Sequence, residues 1–196
     1  MRMLLLALLL GGEALAQEQH SPPDEIGQIQ VSLTPEEGRR RLFPEAHTFV
    51  RQARALDPGQ ATAVVATLGR PLERDSLEVY LACGPLGEVL GYAVVAEEIG
   101  KYRPITFMVG ATPQFAVKEV AVMVYRESRG GEVRRSRFLS QYRGKGLRDP
   151  LQLNRDIINI SGATLSVRAL NTGVRWVLLC LEALYGVQGQ TAGPER

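Results

Sequence analysis

The longest regular pattern of apolar positions lies near the C-terminal end, where Val167 is followed by Leu170, Val174, Val177, Leu181 and Leu184. Three-and-four spacing of this kind is one face of an α-helix. Before it, Leu153, Ile157, Ile158 and Ile160 form an apolar, β-branched run that reads as extended. Between the two stands Ser161-Gly162-Ala163-Thr164-Leu165-Ser166, so an extended segment feeds a small-residue turn that opens a long helix. Upstream, from Leu77, the period falls to two. Leu77, Val79 and Leu81 alternate with polar partners up to Cys83, Gly84-Pro85-Leu86-Gly87 is a turn, and residues 89–96 form the next strand of a hairpin. Residues 105–109 and 117–125, with Gly110-Ala111-Thr112-Pro113 between them, complete a meander of about four strands. No helix-length crossover separates these strands, which favours antiparallel pairing.

Helical signals precede the meander. Thr34-Pro35-Glu36-Glu37 carries an N-cap threonine, a first-turn proline and a capping-box glutamate, and Leu42-Phe43-Pro44 ends that helix. Residues 45–56 read as a second helix with Phe49, Val50 and Ala53 on one side, and residues 60–68 as a third, closed by Gly69. Farther on, Arg134, Arg135, Arg137, Arg143, Lys145 and Arg148 are interleaved with Phe138, Leu139 and Tyr142 at helical spacing, which predicts an amphipathic helix with a basic face. At the start, Met1-Arg2-Met3, an apolar run from Leu4 to Leu10 and Ala14-Leu15-Ala16 read as a secretory signal peptide cut after Ala16. The expected organisation is a signal peptide at 1–16, a flexible leader at 17–33, a helical preface at 34–76, one α+β domain at 77–186 and a disordered tail at 187–196. The α+β domain is a twisted antiparallel sheet flanked by helices, with the long helix last.

Composition narrows the chemistry. The formal net charge of the 196 residues is +2, and it stays there once the signal is removed, since that segment holds one Arg and one Glu. This balance, in an exported chain, argues against a nucleic-acid partner. The basic segment then reads as a solvated face, or as a docking patch for an anionic redox partner or lipid headgroups. The two cysteines, Cys83 and Cys180, lie in a strand and a helix, and their pairing stays open. There is no cysteine cluster for iron–sulfur ligation and no Cys-x-x-Cys-His for c-type haem. His20 and His47 are isolated, so neither a metal site nor a histidine-based triad is expected.

Two places remain for chemistry. At the small-residue turn, Ser161, Thr164 and Ser166 are either helix caps or part of an anion site. The orphan N–H groups and dipole of a helix start suit a phosphate, and Gly162 and Ala163 let a bulky ligand approach the backbone. At the end of the last meander strand, Glu127-Ser128 leads into Gly130-Gly131, which is either a solvated turn or a loop that carries function.

Ser161-Gly162-Ala163-Thr164 with Ser166 resembles the flavinylation motif of the FMN-binding domain family, which includes the covalent-FMN subunits of the Rnf complex and the sodium-pumping quinone reductase. Gly91-Tyr92-Ala93-Val94-Val95, the Tyr125–Gly131 block and Phe138-Leu139-Ser140-Gln141-Tyr142-Arg143-Gly144-Lys145 resemble its other blocks, in the same order, over roughly residues 77–184. The resemblance implies FMN joined through a phosphoester to Thr164 by a flavin transferase that uses FAD as donor. Ser161, Gly162, Ala163, Leu165 and Ser166 would surround the link, Glu127, Ser128 and Gly131 would lie beside the flavin, and Lys145 or Arg143 would be candidates for its phosphate. The protein would be an exported electron-transfer carrier rather than a turnover enzyme, periplasmic or otherwise extracytoplasmic, with membrane association an alternative, serving a membrane or extracytoplasmic redox partner. The family usually has an aspartate three residues before the motif serine, where this chain has Ile158, with Asp156 and Asn159 nearby as substitutes. That departure supports a second reading, a non-redox binding module on the same fold that has lost flavinylation.

Overall fold

The structure is a computed structural model that describes residues 29–186. The signal peptide, most of the leader and the C-terminal tail expected from the sequence lie outside the described residues. The elements run β1 (Gln30–Val31), α1 (Pro35–Leu42), β2 (Thr48–Ala55), α2 (Pro58–Leu68), β3 (Ser76–Cys83), β4 (Val89–Ile99), β5 (Pro104–Ala111), β6 (Val117–Tyr125), α3 (Ser136–Leu139) and α4 (Thr164–Tyr185). The strands form one six-stranded sheet in the order β1-β6-β5-β4-β3-β2, and every neighbouring pair is antiparallel. The α+β architecture is the one expected, with two more strands than the meander supplied.

Helix caps follow the sequence closely. Thr34 accepts from the Glu37 N–H while the Glu37 carboxylate accepts from the Thr34 N–H, and Pro35 occupies the first turn of α1. Asp57 and Gln60 make the same reciprocal box on α2, which Gly69 closes in the left-handed conformation.

One face of the sheet carries α4 and α2. Val79, Val94, Phe107, Val109 and Val122 are buried there against Leu170, Val174, Val177 and Leu181. The helix positions belong to the six-residue apolar stripe, so α4 is held mainly by burial of that stripe, at about 25 cal/mol per Å². The opposite face has a smaller core in which Leu42, the last residue of α1, and Phe43, its C-cap, cover Ala82, Ala93, Met108 and Ala121.

Several expectations are corrected. Residues 45–56 are not a helix: Thr48–Ala55 is a strand paired with β3 over its whole length, from Thr48 opposite Cys83 to Ala55 opposite Ser76. Without β2, the outer N–H and C=O groups of β3 would have no ladder partner, and the Thr48-Phe49-Val50 run suits a pleated strand. The segment 34–76 is therefore no purely helical preface, because it supplies the sheet's last strand, and Leu56 and Val64 belong to the main core.

The arginine-rich segment is not one amphipathic helix. It breaks into a 3₁₀ turn at Gly131–Arg134, the single turn α3, and a second 3₁₀ turn at Ser140–Tyr142, followed by non-helical turns. Arg135 is extended, and the Gly144 N–H and Lys145 carbonyl are tied to Val117 at the start of β6. These bonds pull the chain back to the sheet while Phe138, Leu139 and Tyr142 still bury their side chains.

The run before the motif is not a strand either. Its Leu153–Ile157 bridge is isolated, and the Asp156 carboxylate accepts from the Leu151 and Gln152 N–H groups, curling the chain into a loop. At the other end, Gln30–Val31 of the expected leader pairs with β6.

Candidate functional site

Helix α4 begins at Thr164, with Ala163 as N-cap, and no side chain caps it. The capping alternative for the motif hydroxyls is therefore not realised, and the first-turn N–H groups, which have no partner within a helix, are left to another acceptor. Gly162, at φ +80°, makes the turn into the helix, and a Cβ built there would meet nothing within 4 Å. Ser161 and Gly162 are exposed, Thr164 is half-buried and Leu165 is 43% exposed, whereas Ala163 and Ser166 are buried. The Asn159 amide donates from Nδ2 to Thr164 Oγ1 at 3.1 Å. Its Oδ1 is buried without a partner among the described residues. An acceptor left so costs about 1–3 kcal/mol.

The second turn lies directly against this helix start. The buried Tyr125 hydroxyl donates to the Arg129 carbonyl at 2.5 Å and lies 3.1 Å from Ser166 Oγ. Burial, first among the influences on it, raises the Tyr125 pKa, so the phenol stays protonated and able to donate. Gly130, at φ +80°, is fitted into the same junction. A Cβ on it would stand 2.8 Å from Tyr125 Oη and 3.2 Å from both Ala163 Cβ and Ser166 Oγ. Ser166 is thus a fastening between the two turns rather than a group presented to solvent.

Together the turns line a cavity of about 650 Å³ formed by Ser128 to Glu132, Arg134, Arg135, Ser161 and Gly162. Two blocks whose facing ends, Arg135 and Ser161, are 26 positions apart in sequence meet here. Three guanidinium groups, on Arg129, Arg134 and Arg135, share the lining with a single carboxylate, Glu132. Arg134 is held in place: Nε donates to the Gly131 carbonyl at 3.1 Å, Nη1 bonds Gln30, and its guanidinium lies over the Tyr125 ring at 5.4 Å from the centroid. Arg129, Arg134 and Arg135 are not among the residues that the sequence assigns to this site, and Asn159 enters there only as a substitute for the missing aspartate. Arginine in a loop looks alike whether solvated or lining a cavity, and only the docking of the two turns tells them apart.

Other candidate residues are engaged elsewhere. Glu127 Oε1 accepts backbone N–H bonds from Lys101, Tyr102 (2.8 Å) and Arg103 (3.2 Å), so its carboxylate secures the β4–β5 turn. Ser128 and Gly131 do line the cavity. Arg143 pairs with Glu119 at 3.1 Å and Lys145 with Asp156 at 3.1 Å. Burial disfavours the Asp156 anion, but bonds from the Gln152 N–H, Lys145 and the Leu151 N–H outweigh it and hold the carboxyl below its ordinary range. Ile158 is 74% exposed. Cys83 and Cys180 are buried and free, and burial pushes the Cys180 thiol up to about 12. No group of three or more potential metal ligands occurs among the described residues.

These features fit a phosphorylated ligand such as FMN. The uncapped amides of α4 and the arginines suit a phosphate, Gly162 leaves room beside the backbone, and the orphaned Asn159 Oδ1 is an acceptor for a hydroxyl or imide donor of the kind a flavin nucleotide carries.

Residues 100–178, from the β4–β5 turn through most of α4, match the family model described as an FMN-binding domain. Among solved structures, the chain is similar to NqrC of Shewanella oneidensis, with a TM-score of 0.54 and 17% identity over 78% of this chain and 88% of that one. No curated protein matches the sequence. The likeness to NqrC establishes a shared architecture, and the family match takes in every residue lining the cavity. Residues 100–178 of this chain are thus similar to the FMN-binding domain family, and they include the whole lining of the cavity.

Proposed function

We propose that this protein is an exported flavoprotein that carries electrons on an FMN esterified through its phosphate to Thr164. The observation that carries the reading is the meeting of the Ser128–Gly131 and Ser161–Gly162 turns in one arginine-lined cavity at the uncapped start of α4. When bound, FMN supplies the one- and two-electron chemistry, and the chain supplies position and electrostatics. The amides of the first helical turn and Arg129, Arg134 and Arg135 offset the charge of a phosphodiester, while Gly162 keeps the backbone accessible and Gly130 lets the two turns pack together. Glu127 contributes indirectly by holding the 101–103 turn near the end of β6.

In this reading the signal at 1–16 directs export, a flavin transferase attaches FMN from FAD, and the loaded protein passes electrons between a membrane donor and an extracytoplasmic acceptor. A linked cofactor is not lost by diffusion outside the cytoplasm, which gives the covalent bond a purpose there. The protein would be a carrier, not a turnover enzyme.

The test is the intact mass of protein expressed with an export system and a flavin transferase. The expected result is a chain beginning at Gln17 that carries one FMN less one water on the Thr164 peptide, with Thr164→Ala unmodified. Covalent flavin retained in Thr164→Ala would exclude that acceptor. The exposed Ile158, standing where the family usually has aspartate, favours the second reading, a binding module without flavin. A colourless, unmodified native protein beside a loaded control family member would select it.

A further inference from the structure

We propose that Asn159 is the positioning residue for the Thr164 hydroxyl, and that its amide takes over the place of the absent aspartate. The inference rests on Thr164 as the flavin acceptor and asks what prepares that hydroxyl. Three candidates lie just upstream, and the geometry separates them. Ile158 has no polar side-chain atom, is 74% exposed, and is fixed through its backbone N–H to Gln141 Oε1 at 2.7 Å. Asp156 is committed to the Leu151 and Gln152 N–H groups and to Lys145. Asn159 touches Thr164 Oγ1 at 3.1 Å.

The amide has a property that an aliphatic side chain of the same size lacks. One of its polar atoms engages Thr164 and the other stays buried and unpartnered, and turning the amide over exchanges the two roles without removing either. Thr164 is the first residue of α4 and is half-buried, so a hydrogen bond from Asn159 selects one rotamer of a hydroxyl that would otherwise have three wells. In the attachment step a bond forms between Thr164 Oγ1 and the flavin-side phosphorus of FAD. The phosphoanhydride bond to AMP breaks, AMP leaves with the electron pair, and the hydroxyl proton passes to a base of the transferase or to water. No oxidant or reductant takes part. Holding the attacking oxygen in line is the kind of contribution that raises the rate of such a displacement without changing how tightly the partners bind.

The experiment measures initial rates of FMN attachment by intact mass, with purified transferase, saturating FAD and varied concentrations of the signal-free chain. Native protein, Thr164→Ala, Asn159→Ala and the near-isosteric Asn159→Leu are compared, with the melting temperature of each recorded. The expected result is a maximal rate lower by about tenfold or more in both Asn159 variants, with KM for the chain and the melting temperature close to native. An unchanged maximal rate in either folded variant would overturn the proposal, as would a loss confined to KM, which would make Asn159 a recognition residue for the transferase. If neither variant folded, Asn159 would be structural and the proposal would fall. Absence of modification in the native chain, beside a loaded control, would instead bring down the flavin reading itself.

Discussion

The close seating of the Tyr125–Gly131 turn on α4 can be tested at Gly130, with Gly162 as its control. Both glycines have φ of +80°, so an alanine at either incurs the left-handed backbone cost of about 1–2 kcal/mol. Their surroundings differ. The new Cβ at 130 would approach Tyr125 Oη to 2.8 Å and Ala163 Cβ and Ser166 Oγ to 3.2 Å, while that at 162 would meet nothing within 4 Å. Relieving the contacts at 130 moves the turn or the helix start, an overpacking cost of about 1–3 kcal/mol. Gly130→Ala is therefore expected to destabilise by about 2–5 kcal/mol in all, and Gly162→Ala by about 1–2 kcal/mol. Urea denaturation followed by tryptophan fluorescence measures both, since Trp176 is buried within α4. In the flavin reading the functional consequences are separable, because Gly162→Ala keeps the junction and narrows the approach to the backbone, whereas Gly130→Ala loosens the junction. Two unfolding free energies within about 0.5 kcal/mol of each other would refute the claim that contact across the junction, rather than backbone conformation alone, demands glycine at 130.

Glu127→Ala removes the acceptor shared by the Lys101, Tyr102 and Arg103 amides, and hydrogen exchange at these amides should accelerate while α4 is unaffected; unchanged exchange would show that the turn holds without the carboxylate. Asp156→Asn should destabilise by about 1 kcal/mol at neutral pH. Because the folded carboxyl titrates below the ordinary aspartate value of 3.8, its contribution is complete above that value and is lost as pH falls through the lower folded value. The native and Asp156→Asn stabilities should therefore converge in strong acid, and a constant difference down to pH 2 would contradict the assignment. Ile158→Asp, at a position 74% exposed, should leave stability within about 0.5 kcal/mol of native and raise flavin occupancy if the missing carboxylate limits attachment; unchanged partial loading would mean that it does not.

Signals carried by local chemistry were legible in the sequence. The Thr34 capping box, the Gly69 stop, the period-two strands and the three-and-four apolar stripe of α4 each concern a few neighbouring residues, and each has its place in the structure. The Ser128–Gly131 and Ser161–Gly162 turns could be singled out for the same reason, since glycine and hydroxyl residues at element ends have a restricted set of uses. Strand β2 was not legible. It lies at the sheet edge with most of its residues exposed, so its outward and inward positions differ too little to show a period, and pairing with β3 alone decides its conformation. In the arginine-rich segment a helical spacing was real but misleading, because bonds from Gly144 and Lys145 to Val117 turn the chain before a helix can propagate. The candidate site divides in the same way. Thr164 and its turn belong to the sequence, whereas the Tyr125–Ser166 fastening, the Gly130 contact, the arginine-lined cavity and the Asn159 amide against Thr164 exist only once β6 and α4 are packed side by side. A single chain segment can specify which groups it offers, but the distance between groups on two segments is set by the core that both of them bury.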